Sequence, residues 1–307
     1  MRVGVLGAGA MGCLFGGLLH RAGHDVTLVD VSVEQIRAIN EHGLILERDG
    51  EVLRIPVPAR FAGEVAIAPD LLIVFTKTLH SRAALESARG FIGPATTLLT
   101  LQNGLGNAEI MECFVPRERV VQGITTFPAD LVSAGRVHSL GPGQTKIMAL
   151  DGRVTPRLEE VCSALEGAGL SCEISPGATA AIWEKVAFNA ALNTLTAVTG
   201  LTVGPIADSP EARDLARRIA GEVVRVANRK GIEADLAAVL ETMEGALAAH
   251  RGHQPSMLQD MAAHRRTEVE SLNGAVVREA GALGIEVPFT EALYLLVRTL
   301  ESANATA

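Results

Sequence analysis

The sequence predicts an α/β domain built on a parallel sheet over residues 1–175, followed by an all-α domain over residues 176–307. In the first part, short β-branched runs alternate with helical stretches, which is typical of a parallel sheet covered by helices. After Ser175-Pro176-Gly177 the apolar residues recur at helical spacing instead. A chain of 307 residues is long enough for two domains that each bury a core.

The first domain is predicted to contain a main sheet with helices between several of its strands. The predicted strands are Arg2–Leu6, Asp25–Val31, Leu71–Phe75, Thr97–Leu101 and Val120–Phe127, and the predicted helices are Ala10–Ala22, Glu34–Asn40, Ser81–Ala88 and Asn107–Phe114. Two antiparallel hairpins are expected beside them. These pair Leu44–Glu47 with Val52–Ile55 around Asp49-Gly50, and Arg136–Leu140 with Thr145–Ala149 around Gly141-Pro142-Gly143.

The second domain is predicted to be a series of helices. Ser209-Pro210-Glu211 predicts a helix start, because serine caps helices and proline suits the first helical position. That helix is expected to end at Lys230-Gly231, and a second one carries Leu236 to Leu247. A third is expected to run from near Ser256 to Leu283, and Thr290 to cap the last.

The composition argues against several classes of protein. Lys and Arg number 27 against 35 Asp and Glu, so the net charge of −8 argues against a nucleic-acid binder. The four cysteines form no Cys-x-x-Cys pair, which predicts reduced thiols. His250 and His253 lie in an expected loop, and no metal site is predicted. The uncharged run Val3–Leu19 is short for a bilayer and rich in glycine, so a cytoplasmic protein without a membrane segment is expected.

Gly7-Ala8-Gly9-Ala10-Met11-Gly12 fits the pattern G-x-G-x-x-G directly after the first predicted strand. Gly7 is expected to make the tight turn, Gly9 to let a pyrophosphate approach the backbone, and Gly12 to let the helix pack on the sheet. The N–H groups at the helix N-terminus favour the phosphates. The first domain is therefore predicted to be a Rossmann-type dinucleotide-binding domain, with a ligand-free strand–helix turn as the alternative.

Asp30 stands near the end of the second predicted strand, 18 residues after Gly12. An acidic residue at this place can accept hydrogen bonds from the ribose of NAD and would repel a 2′-phosphate. The next residue is Val31 rather than an arginine. The sequence therefore favours NAD(H), unless Asp30 is a solvated or capping residue.

Lys185, Asn189 and Asn193 share one face of a predicted helix because they are spaced four residues apart. A long cation and two amides can bind a small anion. A protonated lysine can also donate its proton to a ketone oxygen as the carbonyl is reduced. The alternative for Lys185 is a solvated surface charge.

Together these patterns resemble the ketopantoate reductase (2-dehydropantoate 2-reductase) family over nearly the whole chain and in the same order. The resemblance rests on the combination of G-x-G-x-x-G, Q-N-G-x-G, W-x-K-x-x-x-N-x-x-x-N and S-M-L-Q-D followed by R-x-T-E. It implies a Rossmann domain and a C-terminal domain like that of 6-phosphogluconate dehydrogenase. It also implies reduction of ketopantoate to pantoate with NADPH, in pantothenate biosynthesis.

The resemblance implies roles for single residues. Lys185 matches the proton donor of the family, Asn189, Asn193 and Ser256 match residues that contact substrate, Lys77 matches a cofactor contact, and Asn103 matches a residue that touches both. Ser256 with Gln259 also fits a helix capping box, and Asn103 before glycine fits a β-turn.

Glu268 raises a geometric point. On one straight helix, Ser256 and Glu268 would lie about 18 Å apart, too far for both to touch a molecule of a few carbons. Glu268 is therefore expected to face the nicotinamide end of the cofactor or to orient Lys185, unless the helix bends. It ranks below Lys185 as a catalytic candidate.

Two positions depart from the family pattern. Val203 stands, by ungapped counting from Lys185, where the family has an asparagine that contacts substrate. An apolar residue there favours a 2-keto acid without a 4-hydroxyl group. Asp30-Val31 stands where members that use NADPH commonly have arginine, so the chain favours NAD(H) although the family default is NADP(H).

The sequence thus predicts an NAD(P)H-dependent reductase of a small 2-keto acid, with ketopantoate first. The alternatives are an NADH-preferring D-2-hydroxyacid dehydrogenase of the same fold, a β-hydroxyacid dehydrogenase and a dinucleotide sensor without turnover. The segment from Ser256 to Glu268 argues against the β-hydroxyacid dehydrogenase, and the face carrying Lys185 argues against the sensor. The long apolar helices after Ser209 allow a homodimer.

Overall fold

The structure, a computed structural model, describes residues 1–304. They divide into two compact units. The first unit consists of Met1–Gln102 and Asn107–Ala178, and the second of Asn103–Gly106 together with the chain from Thr179 onward. The short segment Asn103–Gly106 thus belongs to the second unit, although its neighbours in sequence belong to the first.

The first unit is built on two sheets. Its strands are β1 (Arg2–Leu6), β2 (Asp25–Val29), β3 (Leu44–Arg48), β4 (Glu51–Ile55), β5 (Ala59–Arg60), β6 (Leu71–Val74), β7 (Thr97–Thr100), β8 (Val120–Thr125), β9 (Asp130–Ser133), β10 (Arg136–Ser139), β11 (Thr145–Ala149) and β12 (Cys172–Ile174). The main sheet has the order β12-β11-β8-β7-β6-β1-β2-β5 and the smaller sheet the order β4-β3-β10-β9. Apart from the antiparallel pair β8 and β11, neighbours in the main sheet run parallel.

Helices cover the main sheet, as parallel strands require. The helices of the first unit are α1 (Ala10–Arg21), α2 (Val33–His42), α3 (Thr78–Ala88), α4 (Asn107–Met111) and α5 (Pro156–Gly167). Helix α1 packs on both sheets: a Cβ at Gly16 would lie 2.4 Å from Leu28 of β2, and one at Gly17 would lie 2.8 Å from Leu44 of β3. Glycine at these positions therefore allows α1 to fit against both sheets.

One predicted hairpin is confirmed and the other is wrong. Strands β3 and β4 pair antiparallel around Asp49 and Gly50, which both have positive φ, as a type I′ turn requires. Strands β10 and β11, in contrast, lie in different sheets: β10 pairs with β3 and β9, and β11 with β8 and β12. Nearly every residue of β11 is buried, which suits the interior of the main sheet rather than a two-stranded hairpin.

The second unit is helical. Its helices are α6 (Ala178–Thr199), α7 (Val203–Asp208), α8 (Pro210–Arg229), α9 (Leu236–Ala249), α10 (Ser256–Ala262), α11 (Asn273–Ala282) and α12 (Pro288–Asn304). Ser209 caps α8 by accepting from the Ala212 N–H at 3.1 Å, as predicted. The predicted fold class, a parallel α/β sheet followed by an all-α part, is confirmed. No helix among residues 1–304 is long and apolar enough to cross a membrane.

The prediction of a single helix from Ser256 to Leu283 is wrong, because the helix is interrupted between α10 and α11. His264 adopts a left-handed backbone, with a φ of 51°, just after α10 ends. The Thr267 N–H then donates to the side chain of Glu301 at 2.6 Å instead of to a helical carbonyl. Residues 265–272 therefore form a nonhelical segment held by side chains from elsewhere.

The expected cap of the last helix is also wrong. Helix α12 begins at Pro288, two residues before Thr290. The buried carboxylate of Glu222, on α8, accepts from the N–H groups of Phe289 and Thr290 at 3.1 and 2.8 Å and from the Thr290 hydroxyl at 2.7 Å. A distant glutamate thus replaces the local cap, because it supplies the acceptor for the orphan N–H groups of the first turn.

Candidate functional site

The loop between β1 and α1 contains three glycines that differ in the space around them. Gly7 has a φ of 100°, and a Cβ there would lie 2.7 Å from the Thr76 nitrogen. A Cβ at Gly12 would lie 1.8 Å from the Gly7 oxygen, whereas one at Gly9 would meet nothing within 4 Å. Ala10 and Met11 form the first helical residues, and no side chain caps the helix at Gly9. The space at Gly9 and the helix N-terminus behind it suit a pyrophosphate.

Both backbone polar groups of Ala8 in this loop are hydrogen-bonded to side chains. Its N–H donates to Asp30 Oδ2 at 2.6 Å, and its carbonyl accepts from Gln35 Nε2 at 2.6 Å and from Cys13 Sγ at 3.1 Å. Gln35 is 5% exposed, and its Oε1 accepts from the Gly135 N–H at 2.9 Å. Sequence reasoning missed Gln35, although a glutamine on the buried face of an amphipathic helix was a usable signal.

Asp30 directly follows β2. Its Oδ1 accepts from the N–H groups of Val31 and Ser32 at 2.8 and 2.9 Å, and Val31 itself is 85% exposed. A carboxylate has about four acceptor positions, so capacity remains for a ribose hydroxyl. Neither Asp30 nor Val31 offers a positive charge that would neutralise a 2′-phosphate on that ribose.

Two polar residues stand after β6 and β7 in the first unit. Lys77 is partly buried and immediately precedes α3. The Gln102 amide donates to the Ser81 hydroxyl at 2.7 Å and to the Thr76 carbonyl, so it ties the ends of these two strands together. Both residues lie at the carboxyl ends of parallel strands, where open α/β sheets bind ligands.

Asn103 lies in the segment that belongs to the second unit. The Leu105 N–H donates to the Ser271 carbonyl at 2.8 Å, and a Cβ at Gly104 would lie 2.6 Å from that same oxygen. The Ser271 N–H and hydroxyl both donate to the Glu268 carbonyl at 3.0 Å. The structure therefore holds the Asn103 loop against the segment that carries Glu268.

Helix α6 carries Lys185, Asn189 and Asn193 among apolar residues. Asn189 and Asn193 are 8% and 7% exposed, and Lys185 is partly buried. Burial lowers the pKa of the Lys185 ammonium to about 8, and the negative charge of Glu268 acts on that pKa in the opposite direction. Lys185 is thus an acid whose pKa lies near neutral pH, which is the range that proton transfer needs.

The nonhelical segment between α10 and α11 carries Glu268, whose charge acts on Lys185. On a single straight helix Glu268 would continue the line of Ser256, but residues 265–272 leave that line. The next acidic residue, Glu270, accepts from the Tyr294 hydroxyl at 3.0 Å and pairs with Arg298 and, at 3.3 Å, with Arg278. This cluster anchors the segment to α11 and α12. Sequence reasoning missed the cluster, because its partners are distant in sequence.

Ser256 and Val203 are placed as follows. Ser256 is the first residue of α10 and is exposed, and no side chain caps that helix. The expected capping box is wrong, because the Gln259 side chain donates to the Gln254 carbonyl at 2.8 Å instead. Val203 begins α7 and is 3% exposed in the core of the second unit, and its N–H donates to the His253 carbonyl at 3.2 Å.

Two family models match the chain. The model described as "Ketopantoate reductase PanE/ApbA" matches residues 3–152, and "Ketopantoate reductase PanE/ApbA C terminal" matches residues 178–301. The 2-dehydropantoate 2-reductase of Halobacterium salinarum is 34% identical over 299 residues, which cover 97% of this chain and 98% of the relative.

Solved structures of similar proteins cover the same length. A D-mandelate dehydrogenase solved with NADH and anilino(oxo)acetate superposes with a TM-score of 0.95 at 30% identity, covering 99% of this chain and 100% of that one. A 2-dehydropantoate 2-reductase from Geobacter metallireducens GS-15 superposes with a TM-score of 0.90 at 30% identity, covering 97% and 99%.

Proposed function

Because the chain belongs to the ketopantoate reductase PanE/ApbA family, an NAD(P)-dependent oxidoreductase family, we propose that it reduces ketopantoate to pantoate. One observation carries this proposal. Lys185, an acid with a pKa of about 8, stands on one helix face with two nearly buried amides and under the influence of Glu268. A ketone that accepts a hydride must also gain a proton, and this face contains a group able to give it.

The residues of the first unit fit a nicotinamide dinucleotide, which supplies a hydride when it is bound. The open space at Gly9 supports this fit, because a side chain there would occupy the approach to the backbone. We assign the pyrophosphate to the loop formed by Gly7, Ala8, Gly9, Ala10, Met11 and Gly12, and the adenosine ribose to Asp30. We assign further cofactor contacts to Lys77 and Asn103.

The second unit supplies the groups for the substrate. Lys185 Nζ donates a proton to the ketone oxygen and stabilises the negative charge that develops there. The amides of Asn189 and Asn193 bind the polar groups of the substrate, and the exposed Ser256 hydroxyl binds its carboxylate. Asn103 also binds the substrate, since its loop is held beside the segment that carries Glu268.

Glu268 acts through Lys185. Among its three possible roles, toward substrate, cofactor or Lys185, the electrostatic effect on Lys185 supports the last. A carboxylate near a desolvated ammonium favours the protonated form, which is the form that donates. Glu268 therefore keeps a larger fraction of Lys185 protonated at neutral pH.

The cofactor is NADH rather than NADPH in this proposal. The carboxylate of Asp30 and the exposed side chain of Val31 support it, since a 2′-phosphate would meet a negative charge and no cation from residue 31. The similar D-mandelate dehydrogenase was solved with NADH.

A second candidate function is an NADH-dependent D-2-hydroxyacid dehydrogenase that acts on a more apolar 2-keto acid. Two observations favour it: Val203 stands where the resemblance implies an asparagine, and the similar D-mandelate dehydrogenase was solved with anilino(oxo)acetate. The chemistry and the role of Lys185 are the same in both candidates. The two differ in the side chain of the keto acid.

A substrate panel tests these proposals. Ketopantoate, pyruvate, 2-ketoisovalerate and phenylglyoxylate are each assayed with NADH and NADPH by the loss of absorbance of the reduced cofactor. The highest kcat/KM is expected for ketopantoate with NADH. A higher value for phenylglyoxylate would select the second candidate, and no oxidation with any keto acid would refute both and favour a sensor.

A further inference from the structure

Asn273 is a fully buried side-chain amide whose hydrogen-bonding groups are only partly satisfied among the described residues. It is 0% exposed, and its Nδ2 donates to the Ala190 carbonyl at 3.1 Å. Its Oδ1 has no hydrogen-bond partner within the described residues 1–304. Burial of an acceptor without a partner costs free energy. A leucine of similar shape would avoid that cost, so the asparagine calls for a reason other than stability.

The hydrogen bond from Asn273 joins helix α6, which carries Lys185, to the start of α11, which follows the segment that carries Glu268. Ala190 lies on α6, directly after Asn189 and in the turn that follows Lys185. Asn273 is the first residue of α11 and directly follows the segment of Glu268, whose carbonyl accepts from the Leu272 N–H at 3.1 Å. The amide thus connects the helix of the ammonium to the segment of the carboxylate.

We propose that Asn273 is a positioning residue that holds the Glu268 segment against helix α6, so that the carboxylate stays within electrostatic range of the Lys185 ammonium. This proposal rests on the proposed function, since holding Glu268 near Lys185 benefits the protein only if Lys185 is the proton donor. Its physical content, a distance maintained between two charges, is independent of any substrate.

Several neighbours of Lys185 and Asn273 have hydrogen-bond or ion-pair partners of their own. The carbonyl of Ala190 also accepts from the Thr194 hydroxyl, so it keeps a partner when the Asn273 donor is removed. Glu184, beside Lys185 in the chain, accepts from the Asp235 N–H at 2.9 Å, and Lys230 pairs with Glu279. The charge that acts on Lys185 is that of Glu268. A shift of the Glu268 segment should therefore change how readily Lys185 gains a proton.

Lysine-selective NMR can read this change without any turnover. The chain has four lysines, Lys77, Lys146, Lys185 and Lys230, so a sample labelled at lysine Cε gives few signals, and Lys185→Arg assigns the signal of interest. In the wild type that signal should titrate with a midpoint near pH 8. In Asn273→Leu the midpoint should fall by about 0.5 pH unit or more, because Coulomb attraction weakens with distance.

Thr194→Val is the matched control, since it removes the other donor from the same carbonyl and leaves the link between α6 and α11 in place. Its midpoint should equal that of the wild type. Asn273→Ala is the second variant and should show the same fall as Asn273→Leu. A wild-type midpoint in either folded Asn273 variant overturns the proposal. Failure of both variants to fold overturns it too, because Asn273 would then be structural.

The same samples separate this proposal from the proposed function. If the wild type oxidises no reduced cofactor with any keto acid, yet the Lys185 midpoint falls in Asn273→Leu, the proposed function fails and the positioning role stands. If the wild type is an active reductase and the midpoint does not move, the positioning role fails alone.

Discussion

The carboxylate of Glu268 acts on the ammonium of Lys185, although one residue lies in the segment between α10 and α11 and the other on α6. Burial lowers the pKa of Lys185 to about 8, and Glu268 limits that fall. The two effects leave an acid that is mostly protonated at pH 7 and can lose its proton without a large cost. This balance is what the proposed reduction requires of Lys185.

The first prediction concerns pH. A donor must be protonated, and Lys185 is protonated below its pKa, so kcat should fall as the pH rises above about 8. Glu268→Gln removes the negative charge and lowers this pKa further, so the alkaline limb of the kcat profile should move to lower pH. An unchanged limb in that variant would separate Glu268 from Lys185. Glu244→Gln is the control, since its carboxylate pairs with Arg213 and Arg217.

The second prediction contrasts two glycines of the loop. Gly9→Ala should fold with a wild-type Tm, because its Cβ meets nothing within 4 Å, yet should weaken NADH binding about tenfold or more by blocking the pyrophosphate. Gly12→Ala places a Cβ 1.8 Å from the Gly7 oxygen and should lower the Tm by several degrees. Thermal melts and NADH fluorescence titration measure both effects. Equal NADH affinity in Gly9→Ala and the wild type would contradict the assignment of the pyrophosphate to this loop.

The third prediction concerns the cofactor. The wild type should bind NADH about tenfold or more tightly than NADPH, since a 2′-phosphate would face the Asp30 carboxylate. Val31→Arg, at a residue that is 85% exposed, should raise NADPH affinity without loss of stability. Val52→Arg, at an exposed residue of the smaller sheet, is the control and should change neither affinity. A wild-type preference for NADPH would refute the role given to Asp30.

The fourth prediction concerns stability. Glu222→Ala leaves the first turn of α12 without its acceptor and should lower the free energy of unfolding by about 3 kcal/mol. Glu244→Ala, which breaks exposed ion pairs with Arg213 and Arg217, should cost less than about 1 kcal/mol. Urea unfolding of both variants gives the comparison. Similar losses in the two would mean that Glu222 does not cap α12.

Local patterns made much of the fold and part of the site predictable. The strands Arg2–Leu6 and Leu71–Val74 are short apolar runs, and the glycine motif specifies a turn whose geometry follows from the missing side chains. The shared face of Lys185 and Asn193 follows from helical spacing alone. Each of these depends on residues that are close in sequence.

The remainder depends on partners that are distant in sequence. The end of α10 was missed although the polar run at residues 264–268 interrupts the apolar period, because the sequence does not show that a distant Glu301 side chain holds Thr267 out of the helix. Strand β11 pairs with β8 rather than β10, a choice that burial in the main sheet decides. The burial of Gln35 on an amphipathic helix could have been predicted, but its partners and those of Asn273 could not, since the sequence does not tell which backbone carbonyl a buried amide will contact.

The central claim is that Lys185 donates the proton to the ketone oxygen. The most direct test measures the steady-state kinetics of Lys185→Ala with the keto acid that the wild type reduces best. Lys146→Ala is the control, at another partly buried lysine. The account predicts a fall in kcat of about 10²- to 10⁴-fold in Lys185→Ala, with the Kd for NADH unchanged, and wild-type kinetics in Lys146→Ala. A wild-type kcat in Lys185→Ala would contradict it.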